Sequence, residues 1–198
     1  MPFKIMIGNY IQAIEKGADT VIILGSCGPC RFGEYCEMQM KLFKKLGYNL
    51  EFILIDAPKE IGIKELFNRI NKISSRSNKS EYEKIRAVYD ALKVINLIDD
   101  IEAKAHYLAG YEKNKGECKQ ILNKCRDEAL ACNNPRKMVK LLVNYKKKIS
   151  NIEIDSRKNP IKIAIIGEIY TIIDPISNLF IEDKLMDYGV STKRILSP

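Results

Sequence analysis

A β-branched run, Thr20-Val21-Ile22-Ile23-Leu24, gives way within ten residues to a helical periodicity of Tyr35, Met38, Leu42 and Leu46 closed by Gly47. The continuous apolar run reads as a buried parallel strand and the second pattern as a helix with a glycine C-cap. A further apolar run, Leu50–Ile55, stops at Asp56-Ala57-Pro58 and reads as a second strand. Strand, helix and strand make a βαβ unit with a right-handed crossover, so the chain starts as an α/β fold. Between the first strand and the helix lies Ser26-Cys27-Gly28-Pro29-Cys30-Arg31-Phe32-Gly33-Glu34-Tyr35-Cys36. In open α/β sheets ligands bind at such strand ends, and a helix N-terminus favours thiolates or an anionic cluster.

The flanking segments extend the pattern. Tyr10, Ile11 and Ile14 before Gly17 predict a helix feeding the first strand, and residues 61–73 predict another after the second. A polar break at 74–80 precedes a helical segment over 81–149. There Ile85, Val88, Leu92 and Ile95 form one apolar stripe, and Cys118, Ile121, Leu122, Cys125, Ala129 and Cys132 form a second. Asn134-Pro135 opens a third helix bearing Met138, Leu141, Leu142, Tyr145 and Ile149. Three helices with paired faces predict an antiparallel bundle. After a polar linker, Ile161–Gly167 reads as a buried strand, 168–178 as a turn, 176–189 as a helix, and Val190–Leu196 as the start of another strand.

Charge enters the argument at the bundle. The chain carries a net charge of +8, and residues 112–150 hold eleven Lys or Arg against four Asp or Glu. No aromatic platform or nucleic-acid-binding signature accompanies the charge, so a solvated helical surface is the simpler reading, and nucleic acid is not an expected partner. No apolar run reaches the ~20 residues of a membrane span, and residues 1–10 are not a signal peptide. Six cysteines without a small-secreted-domain pattern favour a reducing cytoplasm.

In that setting the cysteines act as ligands, redox thiols or core residues. Cys118, Cys125 and Cys132 recur every seven residues, ~10 Å apart along one helix, and belong to an apolar stripe. They read as core. Cys27 and Cys30 can face one centre. Zinc lacks a second Cys or His pair, since the single histidine, His106, is distant in sequence and reads as solvated or packed. Iron–sulfur chemistry suits two loop thiolates with Cys36 as a third candidate, and Cys36 equally suits a core position. Cys-Gly-Pro-Cys is also the redox motif of thioredoxins, although tryptophan is absent from the chain. Gly28 to Gly33 is followed by Glu34 rather than Lys-Ser/Thr, which excludes a phosphate-binding loop and direct ATP hydrolysis. On the loop after the third strand, Glu168, Tyr170, Asp174 and Asn178 suit either substrate binding or capping.

Three blocks converge on a family: Asn9–Asp19; Gly28-Pro29-Cys30-Arg31-Phe32-Gly33 with Gln39; and Gly167-Glu168-Ile169-Tyr170 with Asp174-Pro175 and Asn178. Together they resemble the 2-hydroxyacyl-CoA dehydratase component family, particularly proteins related to the CoA-substrate-specific enzyme activase. The resemblance runs in the same order over nearly the whole chain. It implies Rossmann- or flavodoxin-like parallel-sheet units, here 1–80 and 151–198, with a helical insertion at 81–150. It also implies a cytoplasmic protein of an anaerobe with a 4Fe-4S-type cluster, Cys27 or Cys30 as a ligand, and Glu168, Tyr170, Asp174 and Asn178 as cofactor-binding residues. The implied partners are an ATP-dependent activator or second dehydratase component and an acyl-CoA; a second copy of the chain is expected because the two loop thiolates of one chain fall short of a cubane's four. Family members carry an earlier strand and a cysteine before the segment matched by Pro2-Phe3-Lys4, and continue past the last strand here. The chain therefore reads as a fragment or split reading frame. The rival expectations are a thiol–disulfide oxidoreductase using Cys27 and Cys30, and a cluster-free interaction domain.

Overall fold

The computed structural model describes residues 2–24, 31–55, 62–75 and 77–195. The chain divides into two units, Met1–Lys79 and Ser80–Pro198. In the first, helix α1 (Pro2–Glu15) precedes strand β1 (Thr20–Leu24), helix α2 (Arg31–Lys45), strand β2 (Glu51–Ile55) and helix α3 (Ile63–Ile73). β1 and β2 pair in parallel, from Thr20 opposite Glu51 to Leu24 opposite Ile55. The left-handed Gly47 (φ 80°) ends α2 as its spacing predicts, and the Tyr48 N–H donates back to the Phe43 carbonyl at 3.0 Å.

The core of this unit gathers on Phe43, which is 1% exposed. The rings of Tyr10, Tyr48 and Phe52 lie 6.0, 5.6 and 6.4 Å from it, so residues from α1, β2 and the α2–β2 turn converge there. Val21, Ile23 and Ile53 are buried whereas Ile22 is 52% exposed. The expectation of a strand buried on both faces is thus corrected: β1 alternates, as a strand with only one covered face does.

In the second unit, α4 (Glu81–Leu108), α5 (Glu117–Leu130) and α6 (Pro135–Ser150) precede β3 (Lys162–Ile165), α7 (Ile169–Ile173), α8 (Ile181–Asp187) and β4 (Ser191–Arg194). Ser80 and Glu83 form a reciprocal capping box at the start of α4, and Asn134 caps α6 ahead of Pro135. The core joins Leu97, Ile101 and Ala105 of α4 to Leu122 and Cys125 of α5 and Leu142, Tyr145 and Ile149 of α6. Ile85, Val88, Leu92 and Ile95 are not part of it. They are 41–56% exposed, because helical phase sets them on the opposite side of α4 from Ile101 and Ala105.

β3 and β4 are also parallel, with Lys162 opposite Ser191 and Ile165 opposite Arg194. No residue of β3 is fully buried, and the flanking Ile161 and Ile166 are 70% and 73% exposed, against the buried strand expected. The helix expected from Ile176 begins only at Ile181, because Leu179 and Phe180 take φ values of 58° and 55° that break a helix. Gly110 sits against the start of this sheet: a Cβ there would lie 2.8 Å from Pro160 Cβ and 2.9 Å from the Ser191 nitrogen. The fold is mixed α/β, mostly helical, with two small parallel sheets. The bundle and the second sheet both lie within the unit Ser80–Pro198.

Candidate functional site

Cys27 and Cys30 lie outside the described residues. Their segment connects Leu24, the last residue of β1, to Arg31, the first of α2. Cys36 is in the second turn of α2 and 5% exposed, with its Sγ 3.9 Å from Met40 Sδ. It flanks a packed stripe of Tyr35, Gln39 and Phe43 at four-residue spacing. Gln39 is fully buried, donating from Nε2 to Met6 Sδ at 3.6 Å and accepting from the Tyr10 hydroxyl at 3.4 Å. The candidate donors Cys27, Cys30 and Cys36 suit iron in their chemistry, being thiols alone, and as three they meet a cubane's need only with a fourth, non-protein ligand.

Two of the other three thiols, Cys118 and Cys125, are placed for packing, whereas Cys132, expected in the same apolar stripe, lies past the end of α5 and outside the core. Cys118 is fully buried, and burial together with the neighbouring Glu112 pushes its thiol far up. Cys125 is buried beside an apolar cavity of about 320 Å³ formed with Leu122, Met138 and Leu142, and burial pushes its thiol up to about 11. Neither forms a thiolate near neutral pH. Cys132 is partly exposed, with its Sγ 3.4 Å from the Asn134 carbonyl. Among the described residues no group of three or more His, Cys, Asp and Glu side chains is arranged to hold a metal ion.

Three of the four polar residues read on the loop after β3 build that loop. Glu168 caps α7, its carboxylate accepting from the Thr171 N–H at 3.0 Å. Asp174 accepts from the Ser177 N–H at 3.0 Å and binds the Ser177 hydroxyl. Asn178 donates to the Ile172 carbonyl at 2.9 Å and accepts from the Ile181 N–H at 3.4 Å. Tyr170 lies within α7. The structure brings Asn178, with Pro175, to the wall of a small cleft near the carboxyl end of β4, and leaves Glu168 and Asp174 in their turns.

The same cleft, about 20 Å³ and roomy enough for about one water, is walled by charges that the sequence reading missed. His106 is 2% exposed, with Nε2 2.9 Å from Asp183 Oδ1 and Nδ1 3.7 Å from Glu182 Oε1. Arg126 bridges Glu102 at 3.0 Å and Asp183 at 2.8 Å, while Arg194 reaches Glu182 at 3.0 Å, Glu102 at 3.4 Å and Asp99 at 3.5 Å. Burial alone would raise the Asp183 carboxyl, but hydrogen bonds from His106 and Arg126 hold it well below the usual carboxylate range. Burial does raise Glu182, against the pull of His106 and Arg194. These ion pairs clamp α4, α5, α8 and β4 together, and among the described residues His106 Nδ1 has no hydrogen-bond partner. Asp99, Glu102 and His106 recur at three and four residues on α4, a polar stripe within a helix that carries its core on another side, and that spacing was the available signal.

Comparison with protein-family models, curated proteins and solved structures finds no match for this chain. Among the described residues, no helix is long and apolar enough to cross a membrane.

Proposed function

We propose that this chain is a cytoplasmic iron–sulfur protein of the 2-hydroxyacyl-CoA dehydratase component kind, with units of Rossmann or flavodoxin type. Cys27 and Cys30 are its thiolate ligands, with Cys36 as a third candidate. One observation supports the reading above the others. The segment bearing Cys27 and Cys30 runs from the carboxyl end of a parallel strand to the N-terminus of a 15-residue helix, where the dipole favours thiolates. The burial of Cys118 and Cys125 agrees with it, since those thiols are committed to the core.

A bound cluster supplies low-potential one-electron chemistry. What the chain's own residues contribute is position: α1 and α2, packed through Phe43 and Gln39, fix the helix from which the thiol segment emerges. The loop capped by Glu168, Asp174 and Asn178 is the place where an acyl-CoA or a partner component would be held. Two thiolates leave a cubane short, and three do so unless a non-protein ligand fills the fourth position, so a second copy of the chain or a partner protein completes the set.

Anaerobic purification, with iron and acid-labile sulfide measured beside the visible spectrum, tests the reading. Iron and sulfide in equal amounts, with a charge-transfer band, support it. A metal-free protein that reduces insulin disulfides, and loses that turnover in Cys30→Ser, establishes the thiol–disulfide alternative instead.

A further inference from the structure

The eleven cations of residues 112–150 do not share one environment. Lys113 pairs with Glu153, Lys119 with Asp187, Arg126 with Glu102 and Asp183, and Lys146 with Asp100, while Lys148 lies over the Tyr145 ring. Four of the six that remain, Arg136, Lys137, Lys140 and Lys147, are on α6, exposed and without an ion-pair partner among the described residues. In its 16 residues α6 carries six cations and no acid, and two of them, Arg136 and Lys137, stand at its electropositive N-terminal end.

Helical phase gathers these charges. Arg136, Lys140 and Lys147 fall within about 40° of one another round the helix, with Lys137 and Lys148 about 60–80° further on. The opposite side carries the buried Leu142, Tyr145 and Ile149. A row of like charges about 18 Å long is thus held rigidly outward by the bundle core. Like charges at three- and four-residue spacing repel one another, so the local sequence opposes the helix it forms, a conflict that marks interaction surfaces.

The face is not uniformly polar. Val143, 36% exposed, falls in the row between Lys140 and Lys147, and Tyr145, the only aromatic of α6, is buried. No exposed aromatic of α6 stands among these cations for a base to stack on, and Asn144 is its one exposed amide. A small apolar contact ringed by charge is instead the anatomy of a protein interface. We propose that the outward face of α6 docks an acidic protein surface, whose Asp and Glu side chains meet Arg136, Lys137, Lys140 and Lys147 around an apolar contact on Val143. The proposal does not depend on a cluster being bound. Docking through lysines in a row suits a fast, salt-sensitive, transient encounter.

The test uses the full chain and two labelled probes of equal charge, a polyglutamate peptide with a central leucine and a short DNA duplex. Fluorescence anisotropy is recorded from low to physiological ionic strength. The peptide should bind at low salt and weaken at least about tenfold as salt rises. Lys140→Glu with Lys147→Glu should lower peptide affinity at least about tenfold, whereas Lys64→Glu on α3 leaves it unchanged. Val143→Ser should weaken the peptide several-fold and leave the duplex unaffected. All four exchanged residues are exposed, and circular dichroism confirms that each variant is folded. Tighter binding of the duplex than of the peptide, peptide binding indifferent to the double charge reversal, or no binding at low salt would overturn the proposal.

Discussion

His106 Nε2 lies 2.9 Å from Asp183 Oδ1, joining α4 to α8 across 77 residues of chain. The same carboxylate accepts from Arg126 on α5 at 2.8 Å, so one side chain ties three helices together.

Asp183→Asn keeps the shape and removes the charge, and should cost about 1.5–3 kcal/mol at pH 7, the range for hydrogen bonds to charged groups. The folded Asp183 carboxyl titrates below its unfolded value. Its contribution is therefore complete above about pH 4 and fades as pH falls toward the folded value. Glu182, raised by burial, works in the other direction and loses its contribution as pH climbs through its folded value. Urea unfolding from neutral pH into acid should show a steep acid limb in the parent and a shallower one in Asp183→Asn. Parallel limbs would show that Asp183 is not the group responsible.

Gly110→Ala should destabilise the second unit by about 1–3 kcal/mol, the usual cost of overpacking. The added carbon would meet Pro160 Cγ at 2.9 Å and the backbone nitrogen of Ser191, which opens β4, at the same distance. Thermal melting measures the loss. An unchanged melting temperature would mean that the approach of α4 to the second sheet is looser than these distances state.

Cys125→Ala should cost about 1–2 kcal/mol, the low end for core truncations, and leave any iron content unchanged. With Cys118 and Cys125 buried and both thiols raised, neither should react with a thiol-specific reagent at mildly alkaline pH until the protein unfolds. Cys132, partly exposed, should react in the folded state. Iron lost in step with Cys125→Ala would overturn the packing assignment.

Glu112 is buried at the start of α5, where its carboxylate accepts from the Cys118 N–H at 2.8 Å and from the Gly116 N–H. It caps the helix from four to six residues upstream. Glu112→Ala should cost about 1–2 kcal/mol, as the loss of a cap does. Hydrogen exchange at Cys118 should accelerate well beyond that at Leu142. Equal change at both would point to global loosening rather than to a lost cap.

The strand–helix order was legible because β-branched runs, terminal glycines and Asn134-Pro135 act locally, and each element they mark is formed. What sequence could not say is which apolar face finds a partner. Ile85, Val88, Leu92 and Ile95 have the spacing of core residues, yet α4 buries Leu97, Ile101 and Ala105, on another side and nearer its C-terminus. The exposed Ile22 has the same cause, since a continuous apolar run does not record whether a second layer covers the sheet. At the sites, Glu168, Asp174 and Asn178 were readable as polar loop residues, and only coordinates separate caps from binders. The charged clamp was hidden because its members, from Asp99 to Arg194, come together only through packing.

The proposal that Cys27 and Cys30 hold an iron–sulfur cluster is tested most directly by anaerobic reconstitution with iron and sulfide, followed by sizing and metal analysis of each fraction. Two chains pooling Cys27 and Cys30 supply the four thiolates a cubane takes, so iron and sulfide should elute with associated chains. Both should disappear in Cys27→Ser and in Cys30→Ser and persist in Cys125→Ala. Iron absent from every fraction, or retained in full by Cys27→Ser and Cys30→Ser, would contradict the account.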